Sequence, residues 1–244
     1  QEQRNELQKN EYESQTAVIK FQSEDNAYHL GFYLNQFDSH DFPGLGRALG
    51  GDDIFLKIMG QDTFFYMTKL GMTQQLPYQI TLETDGFYWT NHQEYYFIQP
   101  APDMFTATEF NESQWGATIT LKQEDNPWHT QWLASLYYEK GNIDDSNNRA
   151  TSVTGVTSNA VGLVDGFDRS VNSVIFSAKT RLWNDKLDLV YGGRVDDYSD
   201  FGTESSPRAG IIYYPSEDNA IKYLYGEAYR APTAVDVLGE PPDG

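Results

Sequence analysis

The stretch that decides the fold is Ala209–Tyr229, AGIIYYPSEDNAIKYLYGEAY. An acidic turn, Ser216–Ala220 (SEDNA), is entered from one alternating apolar run and left into another. The same SEDNA recurs at Ser23–Ala27, and a near-copy, QEDNP, occupies Gln123–Pro127; both are again set between alternating runs. Asp and Asn tolerate the right- and left-handed positions of a tight turn and bond their own backbone. Three copies of one acidic turn therefore read as three hairpins.

Period-2 alternation extends through most of the chain, as half-buried strands require. It is clearest in 78–85, 131–139, 171–183 and 187–195, and recurs over roughly 15–22, 27–37, 63–72, 115–122, 207–215 and 220–230. This predicts about ten strands, most near the 9–11 residues that a tilted membrane strand needs, and no helix. The links are unequal and ordered. Short turns are expected at 23–26, 73–77, 123–127, 184–186 and 215–219, and longer polar or Gly-rich loops at 38–62, 91–113, 141–169 and 198–206. If neighbouring strands run antiparallel, every short turn lies at one end of the sheet and every long loop at the other.

Composition narrows the class. The 244 residues carry 36 acidic against 17 basic side chains, a net charge of −19, which excludes a nucleic-acid partner because phosphate recognition needs a basic surface. There is no cysteine, so disulfide scaffolds, thiolate zinc sites and thiol catalysis are excluded. No apolar run is long enough for a spanning helix, but a membrane strand needs apolar residues only at every second position.

Alternation alone does not separate a lipid-facing sheet from a soluble sandwich. The short/long asymmetry favours an outer-membrane barrel, with short periplasmic turns and long outer loops. So do the aromatics at the short turns: Phe21, Tyr28, Tyr78, Trp128, Trp132, Trp183, Tyr213, Tyr214 and Tyr223 suit a membrane–water girdle. The opposite face carries Lys69, Glu83, Lys179, Arg181, Asp188 and Arg194, which a wet or plugged lumen accommodates.

The last quarter resembles a known family. Gly192–Arg194 with Asp196, the Tyr198–Gly202 loop, Pro207-Arg208-Ala209-Gly210 opening a strand, and Tyr229-Arg230-Ala231-Pro232 closing the next are similar, in order and spacing, to the TonB-dependent outer-membrane receptors. The match is clear over 187–239; the first 170 residues resemble the family in strand pattern and loop asymmetry. The resemblance implies an all-β fold: antiparallel strands of a larger plugged barrel of about 22 strands. This chain would supply one partial barrel domain over 1–244, with the plug and remaining strands outside it. It also implies no enzyme activity, a bacterial outer-membrane location among lipid and lipopolysaccharide, and coupling to TonB through the plug. No cofactor is expected; the ligand is expected to be an iron chelate such as a ferric siderophore, with haem or cobalamin as alternatives.

Candidate ligand contacts are Trp89, His92, Tyr95 and Tyr96 in the aromatic stretch Trp89–Phe105, read as an outer loop, and His40 in FDSHDFPGLG, where Asp38 and Asp41 flank it. Asn142–Asn148 (NIDDSNN) lacks the ordered spacing and closing Glu of an EF-hand and is read as a mobile loop. Arg194, Asp196, Arg208, Glu227 and Arg230, on the matched motifs, are read as register-setting pairs between strands or contacts to the plug. Two other classes stay open: a soluble secreted β-sandwich binding sugars through aromatic loops, and a glycosidase with paired carboxylates, for which no motif fixes a pair.

Overall fold

The protein is described from a computed structural model, which covers residues 11–47, 53–99, 104–124, 126–152, 155–162, 164–216 and 218–238. It is one antiparallel sheet of eleven strands: β1 (Glu11–Gln22), β2 (Tyr28–Arg47), β3 (Asp53–Leu76), β4 (Ile80–Gln99), β5 (Met104–Gln123), β6 (Thr130–Ser152), β7 (Thr157–Val161), β8 (Phe167–Leu182), β9 (Leu187–Tyr198), β10 (Gly202–Ser216) and β11 (Asn219–Gly226). Each strand pairs with the next in sequence, except that β7 folds onto the outer part of β6 and β8 takes the neighbouring place in the wall. Among the described residues β1 and β11 each pair on one side only. Among the described residues no second layer packs on this sheet, so the sandwich alternative is set aside.

The repeated acidic segments do form hairpin turns, joining β1 to β2, β5 to β6 and β10 to β11. In the first, the Asp25 carboxylate accepts from the Ser23 hydroxyl (2.6 Å) and the Ala27 amide (3.1 Å), while Asn26 takes φ 58°. Ser23 Oγ in turn accepts the Tyr28 amide at 2.9 Å. In the second, Asn126 Oδ1 accepts the amides of Trp128 (3.1 Å) and Thr130 (3.2 Å). In the third, Ser216 pairs with Asn219, whose amide donates to Ser216 Oγ at 2.8 Å; Glu217 lies outside the described residues. Each copy uses short polar side chains to satisfy backbone donors that the sheet leaves over.

Two further links differ from the sequence expectation. The strand predicted from Tyr78 starts at Ile80, because Pro77–Gln79 form a 3₁₀ turn with Tyr78 and Gln79 at positive φ. A short helix, α1 (Ala234–Leu238), follows β11. It is capped by reciprocal bonds between Thr233 and Asp236, a local signal independent of any strand alternation.

The main correction concerns the long links. The segments 38–62, 91–113 and 141–169 are largely paired strand: β3 runs 24 residues, β6 runs 23, and β2, β4 and β5 run 20 each. The 198–206 link shrinks to Ser199–Phe201. At about 3.3 Å per residue, β3 spans roughly 80 Å, more than twice a membrane strand. Beyond the bilayer both faces meet water, so the apolar/polar period disappears while backbone pairing continues. The NIDDSNN run is likewise inside β6, at a bulge where Asp145 takes φ 54°.

Register gives the sheet two distinct faces. On one, Ile119, Leu136, Val174 and Val195 line up across β5, β6, β8 and β9, each about half exposed. Aromatic side chains close this band at both ends. Toward the short turns are Tyr28, Trp128, Trp183 and Tyr223; toward the other end Tyr88 stands opposite Trp115, which packs on Tyr138 at 5.0 Å. Exposed apolar residues in such numbers need lipid, and the two belts mark its limits. Tyr214, expected in the girdle, instead turns to the other face and donates to Asp188. Above the outer belt, on this same lipid-side face, Glu13, Asp38, Asp62, Glu94 and Glu109 stand directly opposite one another across β1 to β5.

Candidate functional site: the polar wall and its outer rim

The second face holds most of the charges, and several of those within the membrane band are paired. Asp188, fully buried, accepts from Lys179 Nζ (2.9 Å), Arg181 Nε (3.0 Å) and the Tyr214 hydroxyl (3.1 Å). Asp85 meets His29 Nε2 at 3.0 Å and Lys69 Nζ at 3.3 Å, and Lys122 meets Glu83 at 2.7 Å. Gly71 makes room for the first of these groups: a Cβ there would run into the His29 ring and come within 2.7 Å of Asp85. The Lys and Arg partners come from an adjacent strand, while His29 reaches Asp85 across β3, so these ion pairs also fix register. Removing one member would leave an uncompensated charge on a partly dry wall.

The motif residues occupy the outer half of β8 to β11. Arg194 reaches Asp196 on its own strand at 2.5 Å and Ser173 on β8 at 3.0 Å, and lies 5.6 Å over the Tyr137 ring. Ser173 also donates to Asp196, and Tyr137 donates to Glu139. The others are not drawn into this cluster. Arg208 stands in register between Gly192 and Gly226, exposed and without an ion pair among the described residues. Glu227 accepts from Tyr225, and its amide bonds Pro207 O at 3.0 Å. Arg230 is exposed on the segment that follows, also without an ion pair among the described residues.

A residue that sequence reasoning missed organises this rim. Arg169, at the start of β8, makes a bidentate pair with Asp200 in the β9–β10 link (Nε at 2.9 and 3.0 Å, Nη2 at 2.6 Å). Its Nη1 donates to the Pro232 carbonyl at 2.7 Å. The guanidinium lies 5.0 Å from the Phe167 ring, 5.1 Å from Phe201 and 5.9 Å from Tyr198. Tyr198 and Phe201 stack at 4.2 Å, and Tyr229 closes on both. The Tyr-Arg-Ala-Pro segment is thus folded back over the outer ends of β8 to β10. Asp200 lies in the loop quoted for the family resemblance, but its partner is 31 residues away and visible only through strand register.

Most of the aromatic stretch read as an outer loop is strand. Trp89 to Gln99 belong to β4, and alternation divides the candidates between faces. Trp89 and Tyr95 lie on the polar face. There Tyr33, Phe65 and Trp89 form a ladder across β2, β3 and β4, with centroids 5.7 and 6.0 Å apart, and Tyr95 stacks on Phe110 of β5 at 6.3 Å. His92 lies on the opposite face, held by Asn111 at 2.7 Å with Glu109 at 3.9 Å. The backbone of Tyr96 pairs with Gly60 and Ala107, and that of His40 with Glu11; both side chains are outside the described set. Among the described residues no group of three His, Cys, Asp or Glu could hold a metal ion.

What this arrangement can do is hold and pass a ligand. It is a wall with paired charges in the membrane band, aromatic rings at the outer height and a tethered segment at the rim. Comparison with known proteins agrees with that shape. No curated protein matched the sequence. The family described as "TonB dependent receptor-like, beta-barrel" matches residues 4–242, nearly the whole chain. The chain therefore belongs to the TonB-dependent receptor-like β-barrel family.

Proposed function

We propose that this chain forms part of the wall of an outer-membrane receptor that captures a ferric siderophore and imports it with energy delivered by TonB. Receptors of this family are TonB-dependent transporters of the outer membrane rather than enzymes. The siderophore is the further step, and the observation that carries it is the aromatic ladder Tyr33–Phe65–Trp89 on the polar face. Rigid rings at that height offer stacking surface to a ring-bearing chelate entering from outside. In this reading the two strand edges left over by β1 and β11 meet further wall, because an open edge and a half-exposed apolar face are unstable in a bilayer. The paired charges below the ladder face a plug. Lipid and lipopolysaccharide cover the other face.

The test is uptake of radio-iron under iron limitation by cells with and without the receptor gene, in TonB-proficient and TonB-deficient backgrounds. The proposal expects loss of ferric-siderophore uptake in either deletion and direct binding to the purified full-length receptor. If no ferric chelate binds, the siderophore reading is wrong. If haem or a corrinoid binds in its place, the transport reading stands with another ligand.

A further inference from the structure

The outer half of the polar wall differs in charge from the half below it. The lower half carries Lys20, His29, Lys69 and Lys122, the last three matched to Asp85 or Glu83. From Val18, Tyr33, Met67, Phe87 and Gly116 outward to Ser14, Phe37, Gln61, Tyr95 and Thr106, the limits of the described side chains, the polar face of β1 to β5 has no Lys, Arg or His. What remains is rings, hydroxyls, amides and one carboxylate. In register across four strands stand Asn35, Phe65, Asn91 and Glu112. Asn91 Oδ1 is buried with no hydrogen-bond donor among the described residues. Glu112 is half-buried and has no cationic partner among them. A buried acceptor without a donor beside an unpaired carboxylate and stacked rings, with no base near them, is complementary to a ligand that donates hydrogen bonds and carries no negative charge.

We infer that the face formed by Trp89, Phe65, Asn91 and Glu112 takes an uncharged or cationic ring-bearing ligand and discriminates against anionic chelates. The inference rests on the transport reading above and adds a charge class to its ligand. Two effects work together. An anionic chelate presents acceptor oxygens to Asn91 Oδ1 and leaves that buried atom without a donor. It also approaches Glu112 with no intervening cation, a like-charge contact that raises the cost of every close pose. An uncharged chelate with hydroxyl or amide donors meets neither obstacle. Tyr95 and Phe110 provide a second pair of rings about 20 Å farther out along β4, so the same chemistry lines the way in.

The experiment compares two probes on the purified full-length receptor: an uncharged ferric trihydroxamate and the trianionic ferric triscatecholate, titrated by tryptophan fluorescence and calorimetry. The wild type is expected to prefer the uncharged probe at least about tenfold, equivalent to about 1.4 kcal/mol. Trp89→Ala should weaken the uncharged probe. Asn91→Lys places a base on the wall and should narrow the preference by about tenfold, whereas Asn91→Gln should leave it near the wild-type ratio. Native folding of each variant is read from heat-modifiable mobility. Equal or tighter binding of the triscatecholate by wild type overturns the inference, as does an unchanged ratio in folded Asn91→Lys. If neither iron probe binds but an uncharged oligosaccharide or corrinoid does, the siderophore reading fails while the charge inference stands. If an anionic porphyrin binds in preference to these, both fail.

Discussion

Replacing Arg169 with alanine should release the segment after β11 without unfolding the sheet. The side chain makes a bidentate pair with Asp200 and a hydrogen bond to the Pro232 carbonyl, and it lies against three aromatic rings. Both charged groups are mostly shielded, 16% and 14% exposed. Hydrogen bonds to charged groups contribute about 1.5–3 kcal/mol, and each cation–π contact about 0.5–1 kcal/mol at such sites. These terms overlap, and the residual exposure reduces them, so a net local loss of about 3 kcal/mol is reasonable, or roughly a hundredfold rise in the opened population. The remaining anchors are weaker: the Tyr229 ring against Tyr198 and Phe201, and a single amide bond from Glu227 to Pro207, while the five-residue α1 cannot persist alone. Hydrogen exchange on the full-length receptor in detergent should therefore show deprotection confined to residues 227–238, including the Glu227 and Val237 amides. Arg169→Lys should be intermediate, since it keeps the charge but loses the planar fork and the stacking. Wild-type protection of 227–238 in Arg169→Ala would refute the reasoning. So would equal deprotection across β8 to β10, which would mean that Arg169 holds the sheet and not the segment.

Leu136→Arg, on the lipid-side face, should impair barrel assembly by about 2–4 kcal/mol, while Thr118→Arg on the polar face should be tolerated; folding yield into vesicles separates them. Gly116→Ala should lower thermal stability by about 1–3 kcal/mol, because a Cβ there would approach Tyr138 O to 2.6 Å and the Phe87 ring to 2.8 Å. Asp25 is held below the ordinary carboxylate value by its bond from the Ser23 hydroxyl and then by the Ala27 amide. Because the folded value is depressed, the turn's stabilisation is present above the unfolded carboxylate pKa and fades as pH falls through the folded one. Ser23→Ala should move the Asp25 titration, read by carboxyl carbon NMR, up toward the ordinary value.

Much of the wall was legible in sequence because lipid imposes a pattern. Val174, Phe176 and Leu182 alternate with Ser173, Ser177 and Arg181, since each side of β8 has a different solvent. The SEDNA turns were legible for a local reason, Asx chemistry within five residues. The outer ribbons were not. In β4 beyond the belt, Thr90, His92 and Glu94 share one face and Asn91 and Gln93 the other; water on both sides removes the period that marks a strand. Trp89 and His92 are close in sequence but three residues apart along a strand, so alternation places them on opposite faces. Arg194 and Asp196 stood out on their motif. Arg169 with Asp200 and the ladder of Tyr33, Phe65 and Trp89 needed partners brought from separate strands, which only the register supplies.

The line of carboxylates above the outer belt has a mechanical consequence. Glu13, Asp38, Asp62, Glu94 and Glu109 span five adjacent strands on the face that meets lipid lower down. Sliding the wall inward by even a few residues would carry the whole line into hydrocarbon, at a cost that grows with each charge. In the transport proposed, TonB pulls on the plug from within, and the reaction force is borne by the surrounding barrel. A charged collar at the outer surface resists that force as a flange resists a bolt, so the pull can displace the plug without drawing the wall after it.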